Sequence, residues 1–481
     1  MSNMTARRIA LDLTAWPSVS ETVEETRFAG QFADYLSFLD KAWLAPIPGD
    51  PLARANVFGL KRGRTGRTVV LTGHFDTVPF DDYGALADLA LQPDRLTAAI
   101  IAKLNSSGAS ALALADLASG DFLAGRGLLD MKGGLAAGLS AMMAYHGDVT
   151  LLFLGVSDEE VKSAGARAAV QQLKTVALEH DLDIHLMINL DAISDQGDGA
   201  LGRVVNYGSI GKQLLFAYAI GKQAHAGYPQ DGVNAAYIAS ELIRAIELAP
   251  EFGETTGSEV AALPTTLYSK DLKQGYNVTT PGRAFMYWNT MQHRRSGAEV
   301  LEIAMQLAAQ ALENVRYKTG HEVALRTYAS LGVKVAAQPS SASLPDQTCA
   351  VLDALSFDRP TVILGFGSIP YPAVQLHDLR LRHAISSAVL PYRLGELNYF
   401  AGISDMSFFG EASDDLSVVA ANTPIWGSGF TMAEPAGFPI INIGPWGRDY
   451  HHWLERIHVG HAFDTLPRVL LDVIEAVAKS G

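Results

Sequence analysis

The chain has 481 residues, enough for two or three domains and a large core. Hydrophobic residues make up 48% and charged residues 18%, as in ordinary globular proteins. A net charge of −14, with no dense Lys/Arg block, argues against a nucleic-acid or anionic-membrane partner. Cys349 is the only cysteine, so intrachain disulfides are excluded and a reducing, cytoplasmic setting is expected. The N-terminus, MSNMTARRIALDLTAWPSVS, does not read as a signal peptide. No apolar run reaches the ~18 residues that span a bilayer.

In chain order, 67-RTVVLTGHFDTVP-79 is the first of four segments in which a short apolar run ends in polar residues. The others are 149-VTLLFLGVSDEE-160, 184-IHLMINLDA-192 and 437-GFPIINIGPWG-447. Such runs suit strands buried on both faces. Helical stretches, 132–146 and 164–180, lie between them. Alternating strand and helix predicts an α/β domain with a mixed, largely parallel sheet. Ligands then collect beyond the carboxyl ends of the strands, where each run places its polar residues.

After about residue 205 the pattern changes. Strand-like 211–220, helix 233–249, strands 261–269 and 283–291, helix 297–315 and strand 322–330 follow one another. The order βαββαβ predicts an inserted ferredoxin-like α+β lid domain. The expected division is 1–207 and 331–481 for the α/β domain and 208–330 for the lid, with hinges near 205–210 and 330. The piece 338-QPSSASLP-345 reads as loop.

The chemistry-bearing residues stand at the strand ends. His74 is two residues before Asp76, and a metal-binding histidine usually has its other nitrogen held by an oxygen acceptor. Alone, this pattern is equally structural. Asp130 precedes a helix and reads equally as an N-cap. Gly125 and Gly127 match no phosphate-loop spacing, which speaks against a nucleotide-dependent enzyme. The triplet 158-DEE-160 would alone be an exposed turn, but a strand of buried type delivers it. A divalent ion would offset its internal repulsion. Asp191 is a fourth strand-end acid, and 447-GRDYHHWLERIH-458 is the densest histidine region. Together His74, Asp130, Glu160, Asp191 and His451 offer two imidazoles and three carboxylates. That set suits two zinc-type ions sharing a bridging carboxylate.

These motifs, GHFDTVP at 73–79, AGRGLLDMKGG at 124–134, SDEE at 157–160, the acid at 191 and 451-HHWLE-455, resemble the ArgE/DapE/aminoacylase/carboxypeptidase family of co-catalytic zinc amidohydrolases. The stretch 15-AWPSVSETVEE-25 is similar to that family's opening helix and loop. Length, the long His74-to-Asp130 spacing and 402-GISDMSFFG-410 look most like the branch of the arginine-utilisation protein RocB. The resemblance implies a cytoplasmic hydrolase with two divalent metals, zinc or else manganese or cobalt. Asp130 would bridge them, Glu160 would ligate beside His74, and Asp191 beside His451. His451 is preferred over His452 because Glu455 follows it by four residues. Asp76 would orient His74. Glu159 would be the general base, taking a proton from a water held between the ions. His225, in 221-GKQAHAGYPQDGVNAA-236, would stabilise the oxyanion or a substrate carboxylate, often in the partner subunit's site of a lid-mediated homodimer. Asn277, in 276-YNVTTP-281, would contact substrate. The family's Asp-x-Arg strand is replaced by 286-MYWNTM-291, which leaves Arg283 as a candidate for the carboxylate arginine. The substrate implied is an N-acyl amino acid, arginine-related compound or short peptide. The alternative is a non-catalytic metal- or amino-acid-binding protein on the same scaffold, and the presence of Glu159 argues against it.

Overall fold

Two main sheets, of eight and five strands, organise the computed structural model, which describes residues 5–333, 342–412 and 416–479. In chain order the strands begin with β1 Lys41–Pro46, β2 Ala55–Lys61, β3 Arg67–His74, β4 Thr150–Val156, β5 Asp183–Asn189 and β6 Val204–Asn206. Then come β7 Gly211–Ile220, β8 Thr265–Asp271, β9 Arg283–Gln292, β10 Ala324–Thr327 and β11 Thr361–Phe366. β12 Gly395–Leu397 and β13 Ile440–Asn442 complete them.

The larger sheet runs β1-β2-β4-β3-β5-β13-β6-β12. Its centre, β4-β3-β5-β13, is parallel, and β1 and β2 join it antiparallel. This is the mixed, largely parallel α/β sheet expected from the four apolar runs. All seven residues of β4 are buried, because both faces are covered. Alternate side chains serve the two layers. Val69, Leu71, Leu151 and Phe153 meet the helices Ala6–Thr14, Gly133–Ala144 and Leu466–Lys479. Val70, Leu152 and Leu154 meet the helix Ala164–Glu179 on the other face.

The smaller sheet runs β8-β9-β7-β11-β10, with the helices Ala235–Ile246 and Gly297–Thr319 packed together over its apolar face. The βαββαβ order is present, but β11 is inserted between β7 and β10, antiparallel to the first and parallel to the second. This corrects the lid boundary at 330 and the hinge placed there, since the sheet continues through Phe366. The ten-residue β7 needs a partner on that side. The fully buried run TVILGF supplies it. Of the expected loop 338–345, residues 338–341 lie outside the described residues. Ser343 caps a helix at Leu344–Asp353, so Leu344 and Pro345 are helical. Among the described residues no helix is long and apolar enough to cross a membrane.

Between His74 and Asp130 the chain builds a helical insert from Asp81–Leu89, Pro93–Ser107 and Ala111–Ser119. Its own small core, including Tyr83, Leu96, Ile100 and Leu117, closes over Trp446 and Leu454.

Candidate functional site

Parallel strands bring their carboxyl ends to one edge, and three ends carry the acids and the first histidine. β3 ends on His74 and β4 runs into Ser157–Glu160, while Asp191 lies two residues beyond the end of β5. Asp130 arrives from the segment leading into the helix Gly133–Ala144. A Cβ on Gly134 would collide with the Leu190 carbonyl, so glycine lets that helix start press against the end of β5, beside Asp191. His451 lies in a turn after β13, with a positive φ of 62°.

The five expected ligands meet. His74 Nε2 is 3.0 Å from Asp130 Oδ1. His451 Nε2 is 3.2 Å from Asp130 Oδ2 and 3.1 Å from Glu160 Oε2. Donor atoms of His74, Asp130 and Asp191 lie within 4.8 Å of one another, as do those of Asp130, Glu160 and His451. A third such group joins His74 to Glu159 and Glu160. These distances set Glu160 against His451 and Asp191 with His74, where the expectation had them exchanged, and Glu160 also stays within reach of His74. β3 lies between β4 and β5, so His74 has Glu160 on one side and Asp191 on the other, and the His451 turn reaches the Glu160 side. His452 is exposed, its ring accepting from the Leu454 N–H, 3.3 Å away.

The donor set fits divalent ions. Asp130 belongs to both outer groups, as a carboxylate shared between two ions must. His74 Nδ1 donates to the Asp76 carbonyl at 3.0 Å, which leaves the Nε2 lone pair facing the acids. The charges also call for a cation. Burial, reinforced by Asp130, pushes Asp191 up to about 7. Burial raises Glu159 well above the usual carboxylate range, with neighbouring acids adding to it, and it raises Glu160 too. Against burial, Asp130 and Glu160 hold His451 up at about 10. Asp130 is held below the usual range by both imidazoles, again against burial.

The surrounding side chains explain the acidic triplet. Asp158 is not part of the site. It is fully buried, with φ of 66°, and is neutralised by Arg54, which also pairs with Glu25 and Asp50. That anchor turns Glu159 and Glu160 toward the cavity. Asp76 holds the His74 ring through its main-chain carbonyl, while its carboxylate, 3.7 Å from His74 Nδ1, accepts the N–H groups of Glu159 and Glu160, at 3.1 and 3.2 Å. Ser20, in the segment 15–25, donates to the same carboxylate at 2.7 Å. Glu455 is buried and accepts from Arg126 at 2.8 Å and from the Leu129 N–H at 3.3 Å, bracing the approach to Asp130.

A cavity of about 310 Å³ opens over these acids. Lys212, Tyr371, Phe400, Ile403 and Tyr450 line the rest of it. The residues expected to bind substrate are not among them. His225 and Asn277 lie on exposed lid loops, bonded to Gly227 and Thr279 respectively. Arg283 is taken up by Asp353 and by the Leu355 carbonyl. Asn277, Arg283 and His225 thus lie outside the lining of the chain's own cavity. Sequence reading missed Lys212 and Tyr371. It also gave no role to Asp405 of 402-GISDMSFFG-410, a buried acid beside the site that burial pushes to about 7.

Similarity to known proteins agrees with this geometry. Residues 70–420 match Peptidase family M20/M25/M40. YqjN of Bacillus subtilis (strain 168) is 30% identical over 522 residues, covering 96% of this chain and 95% of that protein. RocB of the same organism is 25% identical over 488 residues, covering 89% of this chain and 86% of that protein. The crystal structure of Bacillus subtilis YXEP, described as a dinuclear metal binding peptidase from the M20 family, superimposes with a TM-score of 0.54 at 13% identity. That superposition covers 99% of this chain and 97% of YXEP. The chain therefore belongs to Peptidase family M20/M25/M40, in a RocB-like branch, and is a metallo-exopeptidase or amidohydrolase.

Proposed function

We propose that the protein hydrolyses an amide or peptide bond of a small N-acyl amino acid or short peptide. His74, Asp130 and Asp191 would hold one zinc-type ion, and Asp130, Glu160 and His451 the other. The pair of ions would polarise the scissile carbonyl and acidify the attacking water. Glu159 accepts the proton from that water and passes it to the leaving nitrogen. Its position follows from the Asp76 carboxylate gripping the Glu159 and Glu160 N–H groups. Its raised proton affinity suits a group that must take up a proton and then release it. The observation that carries the reading is Asp130 shared between two ligand groups, with Glu159 in the third.

The decisive test is Glu159→Gln. Metal content should stay at up to two ions per chain by elemental analysis, while turnover falls by about 10²- to 10⁴-fold. Near-normal hydrolysis would remove Glu159 as the base. A wild-type chain without affinity for divalent ions would end the hydrolase reading. N-acyl amino acids, with arginine-related compounds first because of the RocB-like motifs, form the initial screen.

The lid supports a further element of the reading, a homodimer. β8 is a sheet edge, and His225 projects from an exposed loop of the same lid. A second copy docked there would receive His225 from its partner. Mixing inactive His225→Ala and Glu159→Gln chains should then regain part of the wild-type activity. A mixture as inactive as its parents would exclude shared sites.

A further inference from the structure

One side of the cavity is acidic, formed by Asp130, Glu159, Glu160 and Asp191. Apart from His451, already engaged by two of those acids, Lys212 is the cation in its lining among the described residues. Its ammonium lies over the Tyr371 ring, 5.8 Å from the centroid, and no carboxylate of the described residues pairs with it. Burial disfavours this ammonium and Glu159 is the acid that offsets it through space, so a ligand that brings a second anion into contact relieves the remaining cost.

Lys212 is also rigidly placed. Its N–H donates to the Tyr371 carbonyl at 2.7 Å, and the Tyr371 N–H donates back at 3.0 Å. On its other side it pairs with Met291 in the β7–β9 ladder. The Tyr371 hydroxyl lies 3.2 Å from Ser163 Oγ, in the segment that follows Glu159 and Glu160. A lysine whose main chain is held on both sides, where lid and catalytic sheet meet, carries its ammonium into the cavity from a defined point and is suited to orienting a ligand. Arg283, by contrast, is already committed to Asp353.

We infer that Lys212 receives a free carboxylate of the substrate, so that the bond cleaved adjoins a carboxylate-bearing unit held between this ammonium and the acidic cluster. The inference rests on the hydrolytic reading above for the nature of the ligand, and binding and turnover are therefore read separately. Binding is measured by calorimetry on zinc-loaded full-length Glu159→Gln protein, with a panel of N-acetyl amino acids and the matching N-acetyl amino-acid amides. The acids should bind at least about 10-fold tighter than the amides, the size of one charge-assisted contact. Adding Lys212→Met should abolish that preference, and Lys212→Arg should keep most of it. Equal binding of acids and amides before Lys212 is changed would overturn the inference, and so would an undiminished preference in the Met variant. Metal content is measured on every variant. If Lys212→Met sheds metal, the Arg variant decides, and loss of the preference there with metal retained also overturns the inference. Turnover uses the wild-type chain. Acids that bind with the expected preference yet are never hydrolysed would end the hydrolase reading and leave the Lys212 assignment standing.

Discussion

Asp130 faces both imidazoles at once, which fixes how the metal-free site responds to pH. Asp191 is pushed to about 7 and His451 to about 10, each above its unfolded value of ~3.9 or ~6.5. A group raised on folding contributes stability below its unfolded pKa and loses it as pH climbs through the folded one. The Asp191 share is lost between about pH 4 and 7 and the His451 share between about pH 6.5 and 10, so both losses run the same way. Asp130 is shifted downward and matters only in acid. Scanning calorimetry of metal-free protein should show a melting temperature that falls from about pH 5 to pH 9. A divalent ion held by these groups would need them deprotonated, so the rise in melting temperature on adding zinc should widen over the same range. A metal-free melting temperature that climbs toward alkaline pH would contradict the cluster. The five side chains that meet are legible in the sequence, because the acids and His74 stand where an apolar run or a helix begins or ends and His451 lies in the densest histidine stretch. Their pairing is not, because it depends on which strand tips become neighbours. Lys212 is illegible for a related reason. Within GKQLLFAYAI it looks like any polar residue at a strand start, and only the return of the chain at Tyr371 gives it a cavity to face.

The helical insert shows how an element remote from the chemistry can hold a ligand. Asp116, on the helix Ala111–Ser119, pairs with Arg448 at 3.0 Å and accepts from Arg456 Nε at 2.9 Å. Arg456 also binds Asp449 and the Leu454 carbonyl, on either side of His451. Asp449 and His451 have φ of 53° and 62°, a conformation costing of order 1–3 kcal/mol per residue, which persists only where surroundings enforce it. Asp116→Ala removes the carboxylate that Arg448 pairs with and leaves Arg456 with Asp449 alone, a loss of about 3–5 kcal/mol. Denaturant unfolding should register that loss, and elemental analysis should show metal depleted from the refolded variant. Full metal affinity in a destabilised variant would mean the insert supports the fold and not the His451 turn. Helix signals in the insert can be read locally: Pro93 at a start, Gly108 at an end, Ser110 as a cap. Its purpose cannot, because Asp116 and Arg456 are 340 residues apart. The four central strands of the main sheet, β4-β3-β5-β13, were the more legible elements, since burial on both faces leaves an apolar run that local reading detects.

At the scale of the whole molecule, the lid is tied to the catalytic part at more places than a simple two-hinge insertion would provide. The run TVILGF at β11 is of the same apolar type as the catalytic strands, so sequence alone assigns it to the wrong sheet. Only pairing with β7 and β10 places it in the lid. The chain then returns through Tyr371, bonded to Lys212, so the second crossing lies between Phe366 and Tyr371. A third tie is a short hairpin, Thr255–Thr256 paired with Glu259–Val260. Both oxygens of Glu259 accept main-chain N–H groups beyond β12, from Asn398 at 2.6 Å and Tyr399 at 3.1 Å. The Tyr399 ring stacks on His293, just past β9, with centroids 4.3 Å apart. Charge-assisted bonds of this kind contribute about 1.5–3 kcal/mol each, toward the lower end here because Glu259 is half-buried. The hairpin therefore limits how far the lid can swing from the cavity that Lys212 lines. Glu259→Ala should speed amide hydrogen exchange at Asn398 and Tyr399, since those N–H groups lose their acceptor while the catalytic sheet keeps its core. It should also raise KM by a few-fold with little change in kcat, because the ligands and Glu159 are untouched while the substrate meets a looser wall. Exchange at 398 and 399 as slow as in wild type would show that the ring stack and the β11 return hold the lid without the hairpin.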